Sequence, residues 1–313
     1  MTASTPPPAP RGGGQGAGLA YAVTAYGLWG FLPGFFLLLA PASPWEIVAF
    51  RILMSLGFCA ILLTVTRGWR AFIGLSRQPR VLFAMALAGV LIYVNWQVFV
   101  IATLTGHVVE GSLGYFINPV ITVALGVVVL RERLRPLQWA AVGISVAAIL
   151  VIAVGYGAFP WIALVLALSF GFYGFIKKRV GAQVDAVSGL TLETAWLTPV
   201  AIIQLLITGA TVGLTFGQVS PVHSFLMIAT GVITATPLLL FAAAARRLPL
   251  VALGLTQYLA PILQFLIGVF LLHEPMPLGR WIGFGLVWVA LVLLTVDMVR
   301  AARAGRRASL PTA

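Results

Sequence analysis

The chain has 313 residues, 61% of them hydrophobic and only 8% charged. A soluble domain carries roughly 25% charged residues, so this composition cannot cover a water-facing surface, and a soluble globular protein is excluded. The net charge of +12 does not signal nucleic acid, because the basic residues sit between apolar blocks and not on one folded face.

In chain order, residues 1–18 (MTASTPPPAPRGGGQGAG) are Pro/Gly-rich, nearly uncharged, and read as a disordered tail. They lack the basic start, short apolar core and small-residue cleavage site of a signal peptide. Ten apolar blocks follow, at 19–40, 45–66, 81–104, 112–130, 137–155, 160–178, 187–208, 223–245, 251–272 and 280–299. Each has about the 20 residues that cross a hydrocarbon core of roughly 30 Å. A basic tail, 300–313, closes the chain. The fold class expected is therefore an all-α integral membrane protein of ten transmembrane helices. The single cysteine, Cys59, lies inside a block and allows no intrachain disulfide.

Lysine and arginine set the orientation. Alternate connections and the two tails hold 17 of the 19 basic residues, leaving Arg280 on the other side and Arg51 inside the second block. Both termini are expected in the cytoplasm.

A shift of 142 residues lays 113–143 on 255–285 without a gap, pairing Pro119 with Pro261, Gly126 with Gly268, Glu132 with Glu274 and Trp139 with Trp281. A shift of 144 lays GLWGF (27–31) on GFYGF (171–175), pairing Trp29 with Tyr173. The chain thus reads as two five-helix repeats, 19–155 and 160–299. Five is odd, so the second enters the membrane from the opposite side, an inverted topology that many secondary transporters use.

The 142 shift also places Arg51 opposite Glu193, each about six residues into its block. At 1.5 Å per residue they lie about 9 Å deep from opposite faces. Ions in lipid are costly and often functional, so both are expected to face the bundle interior. Arg51 is a candidate to line an outer cavity, to attract an anionic group or to hold a gate through Glu110; the alternative is a structural snorkel. Glu193 is a candidate for proton coupling; the alternative is a fixed ion pair with Lys177 or Arg246.

Two segments, GYFINP (114–119) and TQYLAP (256–261), surround their prolines with polar and aromatic groups. A proline in a span frees a carbonyl that neighbours must satisfy. Tyr115, Phe116 and Asn118, with Gln257 and Tyr258, are therefore candidate substrate-binding walls, together with Trp29 and Tyr173. Helix–helix hydrogen bonding is the simpler account of each. Asn95, Trp96 and Gln97 span about 200° of a helix and cannot all face one cavity; Asn95 is the candidate among them. His107 and Glu110 fall in an outward connection and are gate candidates. Glu132 and Glu274 read as structural carboxylates near helix starts. No Walker A loop, HExxH, GxSxG or CxxC pair is present, and the three histidines lack metal-ligand spacing. No enzyme, metal or cofactor is expected.

NWQVFVIAT (95–103), GHVVEGSLGYFINP (106–119), RERLRPLQW (131–139), LALSFGFYGFIKK (166–178), LTLETAWLTP (190–199), FAAAARRLPL (241–250) and QYLAPILQF (257–265) resemble the RarD group. That group belongs to the EamA branch of the drug/metabolite transporter superfamily. The resemblance covers about 19–299. It implies a bacterial inner-membrane permease that exports metabolites or drugs; members are often labelled by chloramphenicol sensitivity or resistance. The expected function is alternating-access transport of a small organic molecule, amphipathic or carboxylate-bearing given Arg51, with proton coupling, exchange and uniport all open. The competing class is a channel or a membrane-embedded interaction subunit.

Overall fold

A computed structural model describes residues 13–130, 134–156, 159–180, 183–245, 247–248 and 250–308, and every regular element among them is helical. The helices are α1 (Gly13–Leu37), α2 (Pro44–Val65), α3 (Trp69–Ser76), α4 (Pro79–Leu104), α5 (Val108–Leu130), α6 (Pro136–Tyr156), α7 (Trp161–Val180), α8 (Ala186–Thr211), α9 (Pro221–Ala245), α10 (Leu250–Thr256), α11 (Leu259–Leu266) and α12 (Leu278–Ala308). A π-helical turn, Ile267–Leu271, extends α11. Seven described segments are long and apolar enough to cross a membrane: Gly16–Leu37, Pro44–Val65, Pro79–Leu104, Ala186–Thr211, Pro221–Ala245, Ala252–Leu271 and Leu278–Asp297. The shorter apolar stretches Pro136–Ile152 and Trp161–Lys177 accompany them.

Local chemistry sets the helix starts. Proline opens α2 and α4, where its missing amide costs nothing. Ser43 Oγ accepts the Glu46 amide at 3.2 Å, and Asp185 accepts the Val187 and Ser188 amides at 3.0 Å, both ordinary N-caps.

Three features differ from the sequence expectation. Helix α1 starts at Gly13, inside the stretch read as tail, and α12 continues to Ala308. The basic connection at 67–80 contains α3, with no buried residue. The block at 251–272 is not one helix: it breaks between Thr256 and Leu259. Pro261 explains the break, because it cannot donate to the carbonyl of Gln257 four residues earlier. In α1, Pro33 likewise frees the Trp29 carbonyl. Here a neighbour compensates: Gln264 Nε2 of α11 donates to it at 3.1 Å.

The helices pack in a defined set of pairs: α2 with α8 and α9, α4 with α7 and α8, α1 with α9 and α11, α5 with α7 and α11, and α6 with α12. Small residues set the close approaches. Gly231 of α9 lies against the Met54 backbone of α2, and Gly89 of α4 lies 3.3 Å, by its would-be Cβ, from the Glu193 carbonyl of α8. Gly171 of α7 meets Ile121 of α5, and Gly30 of α1 meets Leu263 of α11. Gly89 and Gly231 are 142 residues apart, as are Ile121 and Leu263.

A Cβ at Gly231 runs into main chain, which cannot rotate away as a side chain does. Gly231→Ala is expected to lower stability by about 1–3 kcal/mol, read as unfolding in mixed micelles titrated with SDS. Gly57→Ala in α2, where nothing lies within 4 Å, should leave stability unchanged or raise it by up to about 1 kcal/mol.

Candidate functional site

Arg51 sits about two turns into α2 and is 3% exposed. It does not snorkel out. Its Nε donates to Thr234 Oγ1 of α9 at 2.9 Å. The guanidinium carbon lies 4.2 Å from the ring centroid of Trp96 on α4 and 5.5 Å from that of Phe36 on α1. The expected tie from Arg51 to Glu110 is not made. Glu110, in the first turn of α5, accepts the Ile162 amide at 3.0 Å. That amide belongs to the first turn of α7, where a helix dipole favours an anion. Glu110 lines a small cleft there with Arg280 and Phe284.

The three consecutive residues of α4 point three ways, as their arc requires. Asn95 Nδ2 donates to the Leu166 carbonyl and Ser169 Oγ of α7, both at 3.1 Å, and its Oδ1 accepts the Tyr115 hydroxyl of α5 at 2.8 Å. Trp96 faces Arg51. Gln97 Oε1 accepts Gln204 Nε2 of α8 at 2.9 Å, and the same Gln204 nitrogen meets the Tyr93 hydroxyl at 2.8 Å. Rings link these groups in series: Phe36 to Phe99 (6.3 Å between centroids), Phe99 to Tyr115 (5.5 Å), Tyr115 to Phe170 (5.8 Å) and Phe170 to Tyr173 (5.9 Å).

That series ends at Glu193, which is 1% exposed. Tyr173 donates to its Oε2 at 3.2 Å, and Lys177 Nζ binds its Oε1 at 2.7 Å. The pair joins α7 to α8. Gly189, one turn before Glu193, makes room for it: a Cβ there would lie 2.7 Å from Lys177 Nζ. Arg51, Asn95, Tyr115, Tyr173 and Glu193 therefore form one connected polar and aromatic path through the bundle.

The other sequence candidates lie off this path. Phe116 is 2% exposed and packs edge-on against Phe284 and Trp288 of α12, which makes it core. Tyr258 packs with the same cluster and lies beside Thr295 and Gln257. Trp29 is half-buried and stacks with Tyr26 and Phe241. Asn118 Oδ1 is buried beside Gly171 with no hydrogen-bond partner among the described residues. Glu132 lies outside the described residues. Thr234, 183 residues from Arg51, completes the path, as do Phe36 and Lys177, each on the helix that precedes the one it meets. Only Lys177 was legible, as a basic residue on the same side of the chain as Glu193.

At the end opposite the basic connections, buried carboxylates tie one helix to another. Glu274 takes the Val108 and Val109 amides at the start of α5, at 2.6 and 2.9 Å, so its structural reading holds. Burial pushes its carboxyl up, while those amides, Arg280 and His107 pull it back. Glu46, fully buried, takes the Thr215 and Phe216 amides and the Thr215 hydroxyl, each at 2.9 Å. His223 Nε2 lies 3.0 Å from the Leu39 carbonyl. His107 is half-buried, with its Nδ1 3.0 Å from Thr105 Oγ1.

Helices that carry charge and amide groups into a mostly apolar bundle define a multi-pass membrane protein. The EamA-like transporter family matches residues 16–154. Protein RarD of Streptomyces exfoliatus is 48% identical over 301 residues, 95% of each chain. Protein RarD of Salmonella typhi is 39% identical over 286 residues, 91% of this chain and 97% of its own. A solved crystal structure, 19% identical, covers 92% of this chain and 99% of its own at a TM-score of 0.57, which shows a shared fold. The chain belongs to the RarD group of the EamA-like transporters, and is a bacterial membrane transporter.

Removing Lys177 leaves Glu193 buried without its cation. Lys177→Gln should cost about 2 kcal/mol, below the roughly 3–5 of a fully enclosed pair, because the lysine side chain is 29% exposed. Adding Glu193→Gln should recover about 1 kcal/mol of that loss, measured as a double-mutant cycle in SDS-titrated micelles. Strict additivity would mean that the two groups do not interact.

Proposed function

We propose that the protein moves small organic molecules across the bacterial inner membrane by alternating access, with ten spans in two inverted halves, 19–155 and 160–299, and both termini cytoplasmic. One observation carries this reading. Exchange each span for the one five places on, counting α10 and α11 as one span and leaving out α3. The pairs α2·α9 and α4·α8 then trade places, as do α4·α7 and α1·α9, and α5·α7 and α1·α11. The pairs α2·α8, α5·α11 and α6·α12 map onto themselves. The glycine contacts follow the same exchange, Gly89 on α8 against Gly231 on α2. Two interchangeable halves supply two equivalent conformations of opposite access, the physical basis of alternating access.

In this reading the cargo is amphipathic and meets Arg51, Asn95, Trp96 and Tyr115. Phe116 is withdrawn as a wall, since it packs into the α12 core. Glu110, with His107 beside it, belongs to the outer closure, where Glu46 and Glu274 tie the first five spans to the last five. Glu193 is the coupling candidate, because a carboxylate held by one lysine and one phenol changes partners on protonation.

The test uses proteoliposomes preloaded with a mixed metabolite extract, with and without a pH gradient. Saturable efflux with counterflow is expected. A gradient response that disappears in Glu193→Gln would mark proton coupling; a response unchanged in that variant would return Glu193 to a structural role. Fast non-saturating flux would favour a channel instead, and no flux a non-transporting subunit.

A further inference from the structure

The six carboxylates among the described residues leave Arg51 without a counter-ion. Glu46 is spent on Thr215 and Phe216, Glu110 on Ile162, Asp185 on the start of α8, and Glu274 on the start of α5. Glu193 is paired with Lys177 and Asp297 with Arg135. The seventh, Glu132, is outside the described residues and follows the far end of α5 in sequence. Among the described residues no ion pair reaches Arg51. Its one hydrogen bond among the described residues uses Nε, which leaves the donors of both terminal nitrogens available.

A buried charge without a partner is strongly unfavourable. The faces of Trp96 and Phe36 offset part of that cost, and one hydroxyl adds little. The Thr234 hydroxyl, which donates its own hydrogen to the Thr230 carbonyl at 2.7 Å, offers the guanidinium a neutral oxygen and no charge. What would complete the site is an acceptor with two oxygens that spans the free edge of the guanidinium, which is the geometry of a carboxylate. One cation balances one negative charge. A dianionic phosphate monoester would bring a second charge with nothing to meet it.

We infer that Arg51 anchors the carboxylate of a small monoanionic organic acid, whose apolar part lies against Phe36, Trp96 and Tyr115. As a statement about cargo this rests on the transporter reading; as a statement about an anion site it stands on the guanidinium alone.

The experiment compares hexanoate and benzoate with their primary amides and with benzyl phosphate, first by thermal unfolding of the purified chain in detergent. The acids should raise the unfolding temperature, benzyl phosphate less, and the amides not at all. Arg51→Gln should abolish the acid effect while keeping or raising the temperature of the ligand-free protein, because it removes an uncompensated charge. Arg51→Lys should keep a weaker acid preference. Equal stabilisation by acids and amides, an acid effect that survives Arg51→Gln, or a ligand-free Arg51→Gln protein that melts early with no acid effect in wild type, overturns the site. The same compounds are then loaded into proteoliposomes at pH 8, and efflux is measured above that of protein-free vesicles. Acids should leave at least about tenfold faster than amides, the discrimination expected of a site built to bond the missing group. Binding through Arg51 without efflux would keep the anion site and sink the transporter reading. Saturable efflux of neutral metabolites with no acid binding would do the reverse.

Discussion

Inside a bilayer, every polar group of the chain must find its partner within the chain, because lipid offers none. Much of this structure follows from that constraint. Threonine hydroxyls along the spans turn back onto carbonyls four residues earlier, as Thr194 does to Leu190 and Thr234 to Thr230. The carbonyl that Pro33 releases is taken by Gln264 from another helix. At Gln257, whose carbonyl Pro261 cannot bond, the helix itself gives way. Polar residues here are less a surface for solvent than a set of obligations, and meeting them decides which helices touch.

Arg51 and Glu193 show how the same constraint can be met in opposite ways at corresponding places. Both lie about two turns into their helices, and both are buried. Glu193 is answered from the neighbouring helix by Lys177 and Tyr173, and glycine at 189 leaves the lysine room to reach it. Arg51 is answered by two ring faces and one hydroxyl. Aromatic faces soften a cation without neutralising it, and they leave its donors available. In the proposed two-half carrier, this difference would separate a group the protein has already satisfied from one left for a ligand that comes and goes.

The apolar blocks were legible because hydropathy over 20 residues leaves little choice in lipid. The arc of Asn95, Trp96 and Gln97 was legible for the same kind of reason: helix geometry forces consecutive residues apart, and the structure sends them to α7, to Arg51 and to α8. Partners were less accessible. Arg51 and Thr234 are 183 residues apart, and no spacing rule joins them. The proposed tie to Glu110 paired opposite charges on the same side of the membrane, but a carboxylate in the first turn of one helix can equally serve the amide of another, as Glu110 does for Ile162. Phe116, offered by the sequence as a wall, is packed against Phe284 and Trp288. A repeat motif marks a position that matters to packing as readily as one that meets a ligand.

The carboxylates at the end opposite the basic connections bear on which access this conformation offers. Glu46, Glu110 and Glu274 each bind backbone amides of a segment from the other group of five helices, and His223 lies beside the Leu39 carbonyl in the same way. The Val108, Val109 and Ile162 amides are fixed donors at helix starts, so those ties hold helices, while Glu46 holds the α8–α9 connection. Among the described residues, the ion pair that joins the two groups at the basic end is Arg135 to Asp297, with Arg135 half exposed. An ion pair open to water is weak, whereas a buried carboxylate on two amides is not. Among the described residues, the buried carboxylates that bind backbone amides across the two groups of five helices lie at the end with few basic residues. For a carrier of the proposed kind, with its basic end in the cytoplasm, opening outward would require Glu46, Glu110 and Glu274 to release these amides.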